Sequence, residues 1–184
     1  MSAAHRDCHC RPLRTHLGVG LAYRDCHFIS GRDPSFLSRE VMGTMRYVCD
    51  APEGKIWFQI ETEGEAARET DLMGHAVEKH FRQAREQATG SYVPPSGPYV
   101  EQDIGLKAHL HRVMPVFLTL RDREGNGLAT AMLPPRAEPR GYRSIVVGPG
   151  NSDPYPQHES AIRKLGEQFG LTLDRARCYP YGRT

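Results

Sequence analysis

The sequence predicts an α+β domain. Its sheet is mostly antiparallel, built from two hairpins at about 44–61 and 112–133 plus a short strand near 144–147. Two amphipathic helices, at about 64–89 and 155–169, pack on one face of it. Three observations predict this. Two pairs of β-rich runs are each joined by a short Gly-containing loop, which favours hairpins over crossovers. Two longer segments repeat apolar residues at helical spacing. In chain order, the hairpins flank the first helix, which is economical only if they share a sheet.

Residues 1–16 are polar, rich in Cys, His and Arg, and without period. They read as a tail or irregular arm ahead of a single domain spanning 17–184. Leu17 to Ile29 can form one or two short strands broken by Gly18 and Gly20. Gly31-Arg32-Asp33-Pro34-Ser35 is a turn by composition.

The first hairpin pairs Met45-Arg46-Tyr47-Val48-Cys49 with Lys55-Ile56-Trp57-Phe58-Gln59-Ile60-Glu61 across Asp50-Ala51-Pro52-Glu53-Gly54. Strand alternation places Ile56, Phe58 and Ile60 on the core face and Trp57, Gln59 and Glu61 on the opposite one. A helix follows, opened by Thr62 and Glu65 at capping-box spacing. Met73, Val77, Phe81, Ala84 and Ala88 form its stripe, and Gly90 ends it. Residues 90–108 read as a long loop rich in Pro, Tyr and Gly, in the style of a binding loop or a connection.

The second hairpin runs from Val113 to Leu120 and back from Leu128 to Leu133 around Arg121-Asp122-Arg123-Glu124-Gly125-Asn126-Gly127. Ser144-Ile145-Val146-Val147 is a short buried strand. Gly148-Pro149-Gly150-Asn151 then turns the chain toward a helix that Asp153 can cap. That helix carries Ala161, Ile162, Leu165 and Phe169 as its stripe and stops at Gly170. The Gly-rich turn between strand and helix has the placement of a phosphate-binding turn, but no Gly-Lys-Ser/Thr follows it, and Asp153 would repel an anion.

Composition narrows the function classes. Apolar residues make up 39% and charged residues 25%, an ordinary globular balance, and the net charge is +2. The ends are mildly basic and the middle acidic, with Arg far commoner than Lys. No apolar run is long enough to span a bilayer, so no membrane partner is expected. The N-terminus has no apolar core of a secretory signal, and the 5 cysteines do not form a disulfide framework. A soluble, cytoplasmic protein is the expectation.

Candidate metal ligands are Cys8, Cys10, His16 and Cys26, a donor set that zinc would take, although the spacing is not that of paired Cys-x₂-Cys knuckles. His109 and His111, two apart at the start of an expected strand, would share one face and could join them. Candidate binding residues are Trp57, on the face expected to meet solvent, Tyr92 and Tyr99 in the long loop, and Arg121 and Arg123 at the second hairpin's turn. Aromatic and guanidinium groups together stack bases or anchor protein partners. No complete nucleophile–base set is visible. A non-catalytic binding or accessory module with a protein partner is therefore the leading expectation. A nucleic-acid-associated protein using the Arg-rich termini and a metal-dependent enzyme using the Cys/His groups are the alternatives.

Overall fold

The computed structural model describes residues 45–137 and 141–182. Five strands, β1 (Arg46–Asp50), β2 (Ile56–Ile60), β3 (Val116–Arg121), β4 (Gly127–Leu133) and β5 (Ile145–Val147), form one sheet in chain order. All neighbours are antiparallel. Both expected hairpins are present and join through β2 and β3, with Trp57 opposite Leu120 and Ile60 opposite Phe117. The β1–β2 turn works because Glu53 and Gly54 both take positive φ, the twist that a tight hairpin needs.

Four helices are described: α1 (Glu63–Met73), α2 (Val77–Gly90), α3 (Tyr99–Val113) and α4 (Tyr155–Phe169). The capping box opens α1 as expected. Thr62 Oγ1 accepts from the Glu65 amide at 3.2 Å, and Glu65 Oε2 accepts from the Thr62 amide at 3.1 Å. The single helix expected over 64–89 is broken. Gly74 adopts the left-handed conformation (φ 66°) and ends α1, its amide donating to the Thr70 carbonyl. The Thr70 hydroxyl then accepts from the Glu78 amide at 2.9 Å, satisfying a first-turn donor of α2. The break is a bend between two packed helices, with His75 at its apex.

The two expected helices do not share a face. Helix α4 covers one side of the sheet, burying Ala161, Ile162 and Leu165 against Trp57, Leu118, Leu120, Ala129, Ala131 and Val146. Helices α1 and α2 cover the other, where Ala66, Val77 and Phe81 meet Ile60 and Phe117. The sheet is thus the middle of three layers. Trp57 is fully buried, and its indole N–H donates to the Ala161 carbonyl of α4 at 2.9 Å. The expectation that its face meets solvent fails because α4 takes that side.

The long loop expected over 90–108 holds α3 instead, which continues through His109 and His111 into residues expected to begin a strand. Its signal is weak because none of its residues is buried. Gly105, a poor helix former, leaves room for the Tyr92 side chain, whose hydroxyl donates to the Gln102 carbonyl at 3.1 Å.

After α4 the chain runs irregularly back over the sheet, burying Leu173 and Cys178 in the α4-side core. At β5 the Tyr179 amide donates to the Ser144 carbonyl at 2.9 Å, and the Val146 amide to the Tyr179 carbonyl at 3.4 Å. At the opposite edge β1 is 5 residues long, carries Arg46 and Asp50 at its ends, and is bulged between Tyr47 and Cys49. No helix among the described residues is long and apolar enough to cross a membrane.

Candidate functional site

The face under α1 and α2 carries polar groups that a sheet interior does not need. Alternation along β3 and β4 turns Thr119, Arg121 and Thr130 toward α1, and all three are buried. Glu69 of α1, 1% exposed, reaches down among them. Arg121 Nη2 pairs with Glu69 Oε2, and the Thr130 hydroxyl donates to Glu69 Oε1 at 2.6 Å. Both carboxylate oxygens are therefore engaged. Burial pulls the Arg121 guanidinium below its ordinary range, and the carboxylates of Glu69 and Asp122 push it back up. The close approach of α1 rests on Gly127. A side chain there would run into Met73 Sδ and the Arg121 guanidinium.

This cluster backs onto a cavity of about 440 Å³. Val77, Phe117, Met132, Ile145 and Val147 give it apolar walls, and His75, His80, Thr130 and Asn151 supply its polar groups. Small-molecule sites have this character: mostly apolar, with a few placed polar atoms. The Gly148–Asn151 turn forms part of the rim, with Gly150 and Asn151 both at positive φ, a conformation that Asn tolerates better than most residues. Asp153 serves the structure, accepting from the Tyr155 amide at 3.1 Å and pairing with Arg175 at 2.7 Å.

His75 is the residue the geometry singles out. The bend at Gly74 turns it inward, and it is 8% exposed. Its Nε2 is buried with no hydrogen-bond partner among the described residues. Burial holds its pKa below the ordinary histidine value; Glu69 and a hydrogen bond to its own backbone act the other way, and His80 adds to the lowering. Nε2 is thus a buried ring nitrogen that no donor or acceptor of the described residues meets. Thr119 Oγ1 and Arg121 Nε and Nη1 are also buried without partners on this face. Unpaired buried polar atoms are rare enough in folded proteins to ask for an explanation.

The residues singled out from the sequence are dispersed. Trp57 is in the α4-side core. Tyr92 is half-buried, its ring 5.3 Å from that of His109, while Tyr99 is 88% exposed at the start of α3. Arg121 is the buried partner of Glu69, and Arg123 is exposed over the Glu53–Gly54 turn. His109 and His111 fall on a helix, where two positions differ by about 200° around the axis, so they do not share a face. His109 Nε2 donates to the Ala88 carbonyl at 3.1 Å, fastening α3 to α2. His111 Nε2 accepts from Arg136 at 2.6 Å. Cys8, Cys10, His16 and Cys26 lie outside the described residues. Among the described residues no three His, Cys, Asp or Glu side chains form a metal-holding group.

The sequence alone does not single out His75, because the helix expected over 64–89 runs unbroken through it. The signal that finds it is Gly74 within an otherwise apolar-periodic stretch, followed directly by a histidine.

Comparison with protein-family models, with curated proteins and with solved structures finds no match for this chain.

Proposed function

We propose that this chain is a non-catalytic binding module. Its ligand is a small, largely apolar molecule with a hydrogen-bond donor, held in the cavity beneath the α1–α2 bend. The observation that carries the reading is the buried, unpartnered Nε2 of His75 beside apolar walls. In this reading Nε2 is the acceptor of a neutral ring, and it costs free energy until a donor meets it. Binding is favoured over catalysis because both oxygens of Glu69 are engaged by Arg121 and Thr130. The cavity then offers an acceptor and a hydroxyl, but no carboxylate free to take up a proton.

The test is a matched pair of probes, indole and 1-methylindole, titrated calorimetrically into the full chain. They differ in the N–H donor. The site should favour indole by roughly fivefold, the value of about one net hydrogen bond. The His75→Phe substitution should abolish the preference while the fold, followed by circular dichroism, is retained. The reading fails if neither probe binds saturably, or if His75→Phe leaves the preference for indole intact.

A further inference from the structure

A second group of side chains lies where α2, α3, β1 and the C-terminal end of α4 come together, and its cavities share no lining residue with the His75 cavity. Four elements contribute cations to it: Arg46 from β1, Arg85 from α2, Lys107 from α3, and Arg136 from the segment after β4. Arg85, Lys107 and Arg136 line one cavity of about 450 Å³. A neighbouring cavity of about 570 Å³ is lined by Arg46 and shares Arg136 and Gln59 with the first. Two carboxylates answer these four cations. Glu61 pairs with Arg46 and Glu63 with Arg85, each at 3.5 Å. Arg136 and Lys107 make no ion pair with a carboxylate among the described residues, although Glu61 lies close enough to act on Arg136, so among these residues cations outnumber carboxylates by two.

Arg136 is built into place. It follows Pro134-Pro135, whose rings restrict the backbone. The next residue, Ala137, donates its amide to the Arg112 carbonyl at 3.0 Å. The guanidinium donates from Nη1 to His111 Nε2 at 2.6 Å and lies 5.9 Å from the Phe169 ring centre. A neutral histidine steadies a guanidinium without neutralising it. The remaining N–H groups are left for an oxyanion, in the fork geometry that suits phosphate and carboxylate. Beside these donors the cavity wall is apolar, formed by Ile60, Phe81, Leu110 and Met114.

From this we infer that the groove binds a small phosphomonoester, its dianionic phosphate between Arg136 and Lys107 and its organic body along Ile60, Phe81, Leu110 and Met114. The two cations without an ion pair, Arg136 and Lys107, match a phosphomonoester dianion, whereas a carboxylate would neutralise one. Glu61 and Glu63 oppose a continuous polyanion along the same path, which argues against a nucleic-acid backbone.

The experiment titrates the full chain with phenyl phosphate, with inorganic phosphate and with a single-stranded oligonucleotide at fixed ionic strength. Phenyl phosphate should bind saturably and at least tenfold more tightly than inorganic phosphate. Arg136→Gln should weaken it at least tenfold, and Arg136→Lys by less, since the charge is kept and the fork lost. Arg136 is exposed, so both variants should keep the parent melting temperature. Lys107→Gln is the second variant and should weaken binding by several-fold. The inference is overturned by absence of saturable phenyl phosphate binding, by an affinity that neither Arg136→Gln nor Lys107→Gln changes, or by an oligonucleotide that binds through these residues while phenyl phosphate does not. Loss of the indole preference at His75 would leave this result untouched, since the two sites have no lining residue in common.

Discussion

Beneath α4 the sheet is almost wholly apolar: Trp57, Leu118, Leu120, Ala129, Ala131 and Val146 meet Ala161, Ile162 and Leu165, the indole N–H has its carbonyl, and among the described residues the Tyr155 hydroxyl is the one buried side-chain polar atom of that cluster without a partner. Beneath α1 and α2 the same strands present Thr119, Arg121 and Thr130 to Glu69 and His75, and several polar atoms there go unpaired. Each strand supplies both faces by alternation. One register therefore sets an apolar layer that can be packed to the limit and a polar layer that cannot. The division of labour is physical. Burial of apolar area on the α4 side stabilises the fold, and the other side spends part of that stability on desolvated polar groups.

Three measurements test how far this contrast goes, beginning with the largest effect. Trp57→Ala on the α4 side should cost about 4–5 kcal/mol, the upper range for deleting a buried aromatic, because it opens a cavity in the middle of the packed layer. Urea denaturation measures it. A cost under about 1 kcal/mol would mean that the α4 layer is not the main stabilising layer.

On the polar face, Arg121→Met should cost about 3 kcal/mol, because it leaves the Glu69 carboxylate buried without its counter-charge. The double substitution Arg121→Met with Glu69→Leu should recover all but about 1 kcal/mol of that loss, the remainder reflecting the Thr130 hydroxyl stripped of its acceptor. A double variant no more stable than the single one would show that the ion pair itself holds the layers together.

The smallest effect is the pH dependence carried by His75. Its pKa in the folded chain is depressed, chiefly by burial, from the ordinary value of 6.5. Above that value the ring is neutral in both folded and unfolded chains and adds no pH dependence. As pH falls below it the unfolded chain takes up the proton first, so stability declines until the folded-state pKa is passed. His75→Gln should therefore flatten part of the loss seen as pH falls below about 6.5, while His111 and His158, also depressed, keep their share. An unchanged acid limb in His75→Gln would mean that the ring is protonated as easily in the folded chain as in the unfolded one.

The same contrast explains what could be read from the residues. Both hairpins, the capping box at Thr62 and Glu65, and α4 with its Gly170 stop were legible, because each depends on local chemistry: turn residues, alternation, and amide donors at a helix start. The placement of helices was not. Strand alternation puts Ile56, Phe58 and Ile60 on one face and Trp57 on the other, and a sheet buried on one side only makes the first the core face and the second the wet one. Val116-Phe117-Leu118-Thr119-Leu120-Arg121 carried the correction, since all six residues are buried and the four apolar ones form a run broken only by Thr119. Such a run signals burial on both faces. The candidate site fared worse for a related reason. Glu69, Arg121, Thr130 and His75 lie on α1, β3, β4 and a helix bend, and only tertiary packing unites them. Arg121 was chosen as a surface contact and turned out to be buried. Helix α3 escaped notice because it buries no residue completely, so its sequence carries little of the apolar period by which helices are recognised.

The treatment of the sheet's two rims has a consequence for how copies of this chain can meet. Tyr179 already occupies the outer hydrogen-bonding positions of β5, and a bulge with charged ends interrupts β1. Rims of this kind are poor templates for recruiting a strand from a neighbour. Association of the described fold is thereby steered away from ribbon-like growth along either rim.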